Sequence, residues 1–325
     1  MRVLTVTNIT PDLAAPARGS YVRDQVEALR DEGLEVELLS FPLGKSAYPP
    51  AIREIRRRIK HGGFDLVHAH YGLAGACAAL AGASPLVVTY HGTDVRHPAV
   101  GAISRMLSRR ADLVSAASLA LFSPEGGRPG LTRIPGRSAI LPCGADLSRF
   151  SPRTRRESRR RLGLDPAGRY LFFPAATFRP EKRFDRAREL ARRSDAQLLS
   201  GGSIPAERMP DWINAADAVV ITSENEGFGL VAVEALACDV PVLSTPVGIA
   251  PSLLAGIDGC LSEPFDAERW SEVARRHLDD PDPRVDGRPR AEWLSARRMA
   301  RRAIRAYRDV LAEGVERERS LVERP

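Results

Sequence analysis

Two acidic side chains, Glu226 and Glu234, bracket a glycine-opened helix start, Gly227-Phe228-Gly229-Leu230, directly after the apolar run 218–222. Gly227 and Gly229 let the main chain approach a ligand closely. The N–H groups of Phe228, Gly229 and Leu230 stand where a helix leaves its donors unpaired and its dipole favours an oxyanion, so a phosphate or a sugar oxygen suits the place. Glu226 in the loop can point at whatever the loop cradles. Glu234 on the helix can accept from a vicinal diol, as a carboxylate does with ribose. Read alone, the stretch is equally an ordinary helix start with solvated acids.

A second group follows the strand-like run 170–174. Here Arg179-Pro180-Glu181-Lys182 brings two cations to a strand end, where they can neutralise a diphosphate and the charge that develops on a leaving group. Lys182 is one of only three lysines against 45 arginines. A third group, Tyr90-His91-Gly92-Thr93-Asp94, follows the apolar run 86–89 and places an imidazole and a carboxylate at another strand end. A surface turn and a hydrogen-bonded structural histidine are the bland readings of these two.

The elements that must position these groups alternate throughout. Strands are expected over 2–7, 35–40, 65–69, 86–90, 112–116 and 139–141, then over 170–174, 197–200, 218–222 and 240–244. Helices are expected over 21–32, 73–81, 183–193, 230–237, 267–277 and 292–311. Strand-helix-strand alternation with short connections implies parallel sheets covered on both faces, which bind ligands beyond the C-terminal ends of their strands. The chain of 325 residues accommodates two such domains. They are expected over residues 1–150 and 169–290, joined by a linker at 151–168 whose arginine run 153–161 suits a solvated helix. A final helix in 291–325 is expected to pack back toward the first domain.

Five stretches, in order, resemble the family 4 retaining glycosyltransferases, which have the GT-B architecture. They are Gly19-Ser20 after the first strand; His91-Gly92; Pro142-Cys143-Gly144-Ala145-Asp146 with Phe150; Arg179-Pro180-Glu181-Lys182; and the Glu226/Glu234 pair with seven residues between them. The similarity extends over most of the chain, and the teichuronic-acid-type enzymes are the nearest impression. The resemblance implies an α/β fold of two Rossmann-like, doubly wound domains facing a central cleft. It implies an N-terminal acceptor domain and a C-terminal domain that binds a nucleotide diphosphate sugar. It gives His91, Lys182 and Glu226 catalytic roles. Gly19, Arg179, Lys182, Glu226, Gly227, Phe228, Gly229, Leu230 and Glu234 become donor-binding residues, and Tyr71 and Asp94 acceptor contacts. One departure is Thr177, where the family usually carries an arginine; Arg179 is the candidate to replace its charge. The stretch between Ser200 and Asp217, which shapes the nucleobase pocket, is also short.

Cofactors are expected to be none: the sugar nucleotide is a co-substrate, and cations and amides neutralise its phosphates without a metal. The lone Asp280-Pro281-Asp282 reads as a turn. The expected partners are the sugar nucleotide and a carbohydrate, lipid-linked or small-molecule acceptor. Nucleic acid is not expected, because the basic residues are dispersed and lack interleaved aromatics. The chain reads as cytoplasmic, because its first residues lack a signal-peptide pattern and no run is apolar enough to span a bilayer. Peripheral contact with the inner membrane face is the alternative, through the stripe Ile52, Ile55 and Ile59 on an arginine-rich helix; a helix packed on its own sheet with a basic outer face is the preferred reading of the stripe. The four cysteines read as reduced thiols. Competing readings are a sugar-nucleotide-binding protein without turnover and an epimerase or phosphorylase of the same fold.

Overall fold

A computed structural model describes residues 1–11, 16–124, 130–131 and 137–322. It divides into two compact units: one of residues 1–10, 21–143 and 296–325, the other of residues 11–20 and 144–295.

The first unit holds a six-stranded parallel sheet in the order β2-β1-β3-β4-β5-β6. Its strands are β1 (Arg2–Thr7), β2 (Glu35–Ser40), β3 (Leu66–His70), β4 (Leu86–Tyr90), β5 (Leu113–Ala116) and β6 (Ser138–Ile140). The central strands are apolar almost throughout because both faces are covered. Helices Tyr48–Gly62 and Gly72–Leu80 seal one face through Ile55, Ala74, Cys77 and Ala78. The opposite face, Val3, Leu66, Val87 and Leu113, is covered by helix Ala296–Val322 through Met299, Ala300, Ala303, Ile304, Tyr307 and Val310. That spacing keeps the buried side chains on one stripe, and each large aliphatic one contributes roughly 1.5–3 kcal/mol of burial.

The second unit holds a five-stranded parallel sheet in the order β11-β10-β9-β7-β8. Its strands are β7 (Tyr170–Phe173), β8 (Gln197–Ser200), β9 (Ala218–Ile221), β10 (Val242–Ser244) and β11 (Leu261–Ser262). Strand order reverses beside β1 in the first sheet and beside β7 in the second. Those switch points open the crevices where doubly wound sheets bind ligands.

Three expectations need correction. The arginine run is not simply solvated. Helix Arg155–Leu162 turns Arg155 and Arg159 inward onto the buried carboxylate of Asp217, with Arg159 Nη2 2.9 Å from Oδ2. The 155/159 spacing selects one helix face, and only the remaining arginines meet solvent. The last helix is not continuous from 292. A short helix Arg288–Glu292 ends first in tighter turns, with the Leu294 N–H on the Ala291 carbonyl (2.9 Å) and the Ser295 N–H on the Glu292 carbonyl (3.2 Å), while the Leu294 carbonyl accepts from Ala145 N–H (2.9 Å); the long helix then runs Ala296–Val322. Strand β11 was not foreseen, since two paired residues carry no readable alternation. The stripe on helix Tyr48–Gly62 resolves toward packing: Ile55 is fully buried and Ile52 and Ile59 lie against the same core. Among the described residues no helix is long and apolar enough to cross a membrane. The cysteines are free thiols, Cys77 and Cys238 buried, Cys143 and Cys260 partly so.

Candidate active site

In the second unit, the loops that follow β7 and β9, the strands flanking the switch point, are stitched together. Glu224 N–H donates to the Glu181 carbonyl (2.9 Å), and Thr222 Oγ1 donates toward the carbonyls of Lys182 (3.0 Å) and Arg183 (2.9 Å). Arg183 takes a left-handed conformation, φ 52°, and its guanidinium bridges Asp185 and Glu224. This folding turns Lys182 inward. Its ammonium lies 2.5 Å from Glu226 Oε1, an oxygen that also accepts from Ser223 Oγ at 2.8 Å. The two charged side chains are only 11% and 18% exposed. Two residues 44 apart in sequence thus form one nearly desolvated ion pair at paired strand ends.

Gly229 supplies the left-handed entry, φ 94°, into helix Leu230–Ala237, and Phe228 is buried behind it. At the start of that helix the Leu230 and Val231 N–H groups precede the first intrahelical bond, which the Ala232 N–H makes to the Gly229 carbonyl (3.0 Å). Glu234 is buried on the same helix. The loop after β10 supports the junction: Ile249 N–H donates to the Phe228 carbonyl (2.9 Å). Gly248, at φ 57°, leaves no room for a side chain, since a Cβ would collide with the Phe228 carbonyl and come 3.2 Å from Glu226 Cβ. Arg179 is exposed and paired with Glu181, Nη2 to Oε1 2.5 Å. Thr177 beside it is also exposed. Gly19 has φ 74° just ahead of helix Ser20–Asp31, a backbone conformation suited to glycine.

In the first unit, His91 follows β4 with its ring among Tyr21 (centroids 4.9 Å), Tyr71 (4.8 Å) and His70 (5.2 Å). His91 Nε2 lies 2.9 Å from His70 Nδ1, and its Nδ1 is 4.0 Å from Cys143 Sγ. Burial, with His70 adjacent, holds His91 well below the usual imidazole range, so it is neutral near pH 7. Tyr71 has φ 77°, costly for a bulky side chain, and its hydroxyl meets that of Tyr21. Asp94 departs from the expectation of an acceptor contact. It is 4% exposed, and both carboxylate oxygens are spent on the main chain: Oδ1 accepts from His91 N (3.0 Å) and Gly92 N (2.9 Å), Oδ2 from Gly72 N (3.2 Å). It braces the loops that carry Tyr71 and His91.

Sequence reasoning missed several members. His68 and His70 alternate on β3, and an imidazole at every second position of an otherwise apolar strand was the available signal. His68 bonds Tyr307 OH (2.6 Å) and Thr89 Oγ1 (2.7 Å). Asp217, Ser223 and Gly248 were also missed; only Gly248, between a strand and a helix, carried a hint. The Asp280–Asp282 segment is a turn as expected, closed by Asp282 N–H to Asp280 Oδ1 (2.9 Å), with both the Asp280 and Pro281 carbonyls accepting from Arg155. Among the described residues no three His, Cys, Asp or Glu side chains gather as a metal set.

Comparison with known proteins agrees with this layout. The model for glycosyltransferase family 4 matches residues 9–149, and that for glycosyl transferases group 1 matches residues 181–292. A D-inositol 3-phosphate glycosyltransferase of an Arthrobacter species is 30% identical over 72% of this chain and 67% of its own. A Bacillus subtilis glycosyltransferase ascribed to teichuronic acid biosynthesis, TuaC, is 27% identical over 85% of this chain and 89% of its own. Among solved structures, sucrose-phosphate synthase of Thermosynechococcus elongatus superposes with TM-score 0.75 at 19% identity, covering 96% of this chain and 100% of that one. Anabaena HepE in complex with UDP superposes with TM-score 0.66 at 17% identity, covering 94% and 99%; at such identities the likeness establishes the fold alone. With both family models matched in order on two Rossmann-like units, the chain belongs to the family 4 glycosyltransferases and is a sugar-transferring enzyme.

Proposed function

We propose that the chain transfers a glycosyl group with retention, from a nucleoside diphosphate sugar held at the switch point of the second unit to a hydroxyl of an envelope glycan or natural-product intermediate. The observation that carries this reading is the Lys182–Glu226 pair, which sets a cation and a carboxylate side by side at the strand ends beyond which doubly wound sheets in general bind ligands. Lys182 contacts the diphosphate. Glu226 meets sugar hydroxyls near the reacting carbon, Glu234 holds the ribose, and the N–H groups from Gly227 to Leu230 bind sugar and phosphate oxygens. Arg179 adds charge from the rim, and Gly19 lets its loop approach the donor or acceptor. In the first unit His91 meets the sugar and Tyr71 the acceptor, while Asp94 orders their loops.

Retention places the leaving diphosphate and the acceptor on one face of the sugar. A donor phosphate oxygen then takes the acceptor proton, and the protein needs no strong base. Its work is to stabilise the leaving group, orient the sugar and exclude water. A neutral His91 supports that division, since it orients without adding charge. On this reading no metal is required, and transfer persists in excess EDTA. Strict metal dependence overturns that part.

Peripheral membrane contact draws little support from helix Tyr48–Gly62. Its apolar stripe is spent on the core, Arg57 and Arg58 pair with Glu54, and Arg56 donates to the Leu80 carbonyl. On this reading that helix does not bind a membrane surface, and pelleting with anionic liposomes is expected to leave the protein in the supernatant. The decisive experiment is transfer from UDP-, GDP- and dTDP-sugars with Lys182→Met and Glu226→Gln alongside the parent. Both substitutions are expected to abolish transfer. Near-normal turnover in both, or donor binding by the parent without transfer to any acceptor, contradicts the proposal.

A further inference from the structure

His70 has no role in the reading above, yet it is the hydrogen-bond partner of His91. It is fully buried at the end of β3, one strand from His91, and the two rings stack at an interplanar angle of 22°. Burial pushes the His70 imidazolium down to about 3, so the ring carries a single proton at neutral pH. With His91 also neutral, the 2.9 Å contact between His70 Nδ1 and His91 Nε2 contains one proton, and one ring donates to the other.

Two arrangements are available, and they differ in what they leave buried. If His91 Nε2–H donated, the proton of His70 would sit on its own Nε2. That atom is buried and has no hydrogen-bond partner among the described residues. An orphaned donor loses its hydration without replacement, a penalty of about 1–3 kcal/mol, and buried unpaired N–H groups are rarer than unpaired acceptors. If His70 Nδ1–H donates instead, only a bare lone pair is left at Nε2. The proton of His91 is then placed on Nδ1, the ring edge that faces Cys143 Sγ at 4.0 Å.

We propose that His70 is a positioning residue that fixes His91 as the Nδ1–H tautomer, so that His91 presents a hydrogen-bond donor rather than a basic nitrogen. A donor aimed at a sugar oxygen stabilises charge as it develops and costs no reorganisation. The same tautomer cannot act as a base through Nδ1, and its Nε2 is occupied by His70. The kinetic part rests on the reading of His91 as a sugar-facing group; the tautomer part does not.

The test is two-bond nitrogen–proton correlation spectroscopy of the full chain labelled with nitrogen-15 histidine, with His91 assigned by its loss in His91→Asn. The parent is expected to show His91 protonated at Nδ1 and bare at Nε2. His70→Asn, whose amide N–H stands at the chain position of imidazole Nδ1, is expected to keep that pattern and kcat within about twofold. His70→Leu is expected to release His91 to the Nε2–H tautomer and to lower kcat about tenfold, the equivalent of one hydrogen bond. Nε2 protonation in the parent, or an unchanged tautomer in His70→Leu, overturns the proposal. Should His70→Leu fail to fold, the parent spectrum and His70→Asn decide it. If the tautomers come out as expected while His91→Asn transfers normally, the sugar-facing role of His91 fails and the positioning assignment stands.

Discussion

Replacing Lys182 by Met and Glu226 by Gln, singly and together, isolates the energy of the ion pair on which the proposed donor site is built. At 2.5 Å and an effective dielectric of about 20, the gross attraction is about 7 kcal/mol. Most of it offsets the loss of hydration of two ions that are 11% and 18% exposed and the ordering of two long side chains. A net coupling of about 2 kcal/mol is expected from the double-mutant cycle, with each single variant destabilised by about 2–3 kcal/mol and the double variant by less than their sum. The assay is urea unfolding followed by tryptophan fluorescence. All three tryptophans, Trp212, Trp270 and Trp293, belong to the second unit, so the signal reports that unit alone. This matters because a two-unit chain has no single unfolding free energy. A coupling below about 0.5 kcal/mol refutes the reasoning, for it means that the pair does not hold the two loops together in solution.

The first unit is expected to be acid-labile. Burial holds His68 and His91 well below the usual imidazole range and His70 at about 3, so each refuses a proton that the unfolded chain takes below about 6.5. Their stabilisation is complete above that pH and is lost as pH falls. Asp94 has the opposite sign: burial raises it to about 6, so it favours the fold at low pH and that gain disappears as pH rises through 6. Three losses against one gain leave the first unit less stable as pH falls below about 6.5. Hydrogen exchange in β3 and β4 reads it, and constant protection contradicts it. Asp217→Ala leaves Arg155 and Arg159 without their buried counter-charge; a loss of about 3–5 kcal/mol is expected by tryptophan fluorescence, and under 1 kcal/mol contradicts the assigned role. Gly248→Ala forces a side chain into a left-handed position against the Phe228 carbonyl. Donor KM is expected to rise at least tenfold, and an unchanged KM removes that loop from the site.

Much of the architecture was legible because parallel strands buried on both faces are apolar runs, and the helices between them have their own period. The loop between β9 and helix Leu230–Ala237 was legible for a similar reason: Gly227 and Gly229 mark a strand-to-helix turn that few residue types can make. What escaped depends on contacts distant in sequence. Arg155 and Arg159 look like solvated charge until Asp217, some sixty residues on, is folded beneath them. Asp94 looks like a ligand group until its oxygens are found on the amides of Gly72, His91 and Gly92. His70 looks like a core residue until β4 brings His91 beside it. In each case the side-chain type was informative and its partner was not, because pairing is fixed by sheet order rather than by neighbours along the chain.

The central claim, that the paired loops after β7 and β9 hold a nucleotide-linked diphosphate, is tested most directly by thermal shift with UDP-, GDP- and dTDP-sugars on the parent and on Lys182→Met. A ligand that binds only the folded state raises the melting temperature in proportion to its affinity. At least one sugar nucleotide is expected to stabilise the parent, with the shift lost or strongly reduced in Lys182→Met. No shift with any of them, or an equal shift in both proteins, contradicts the account.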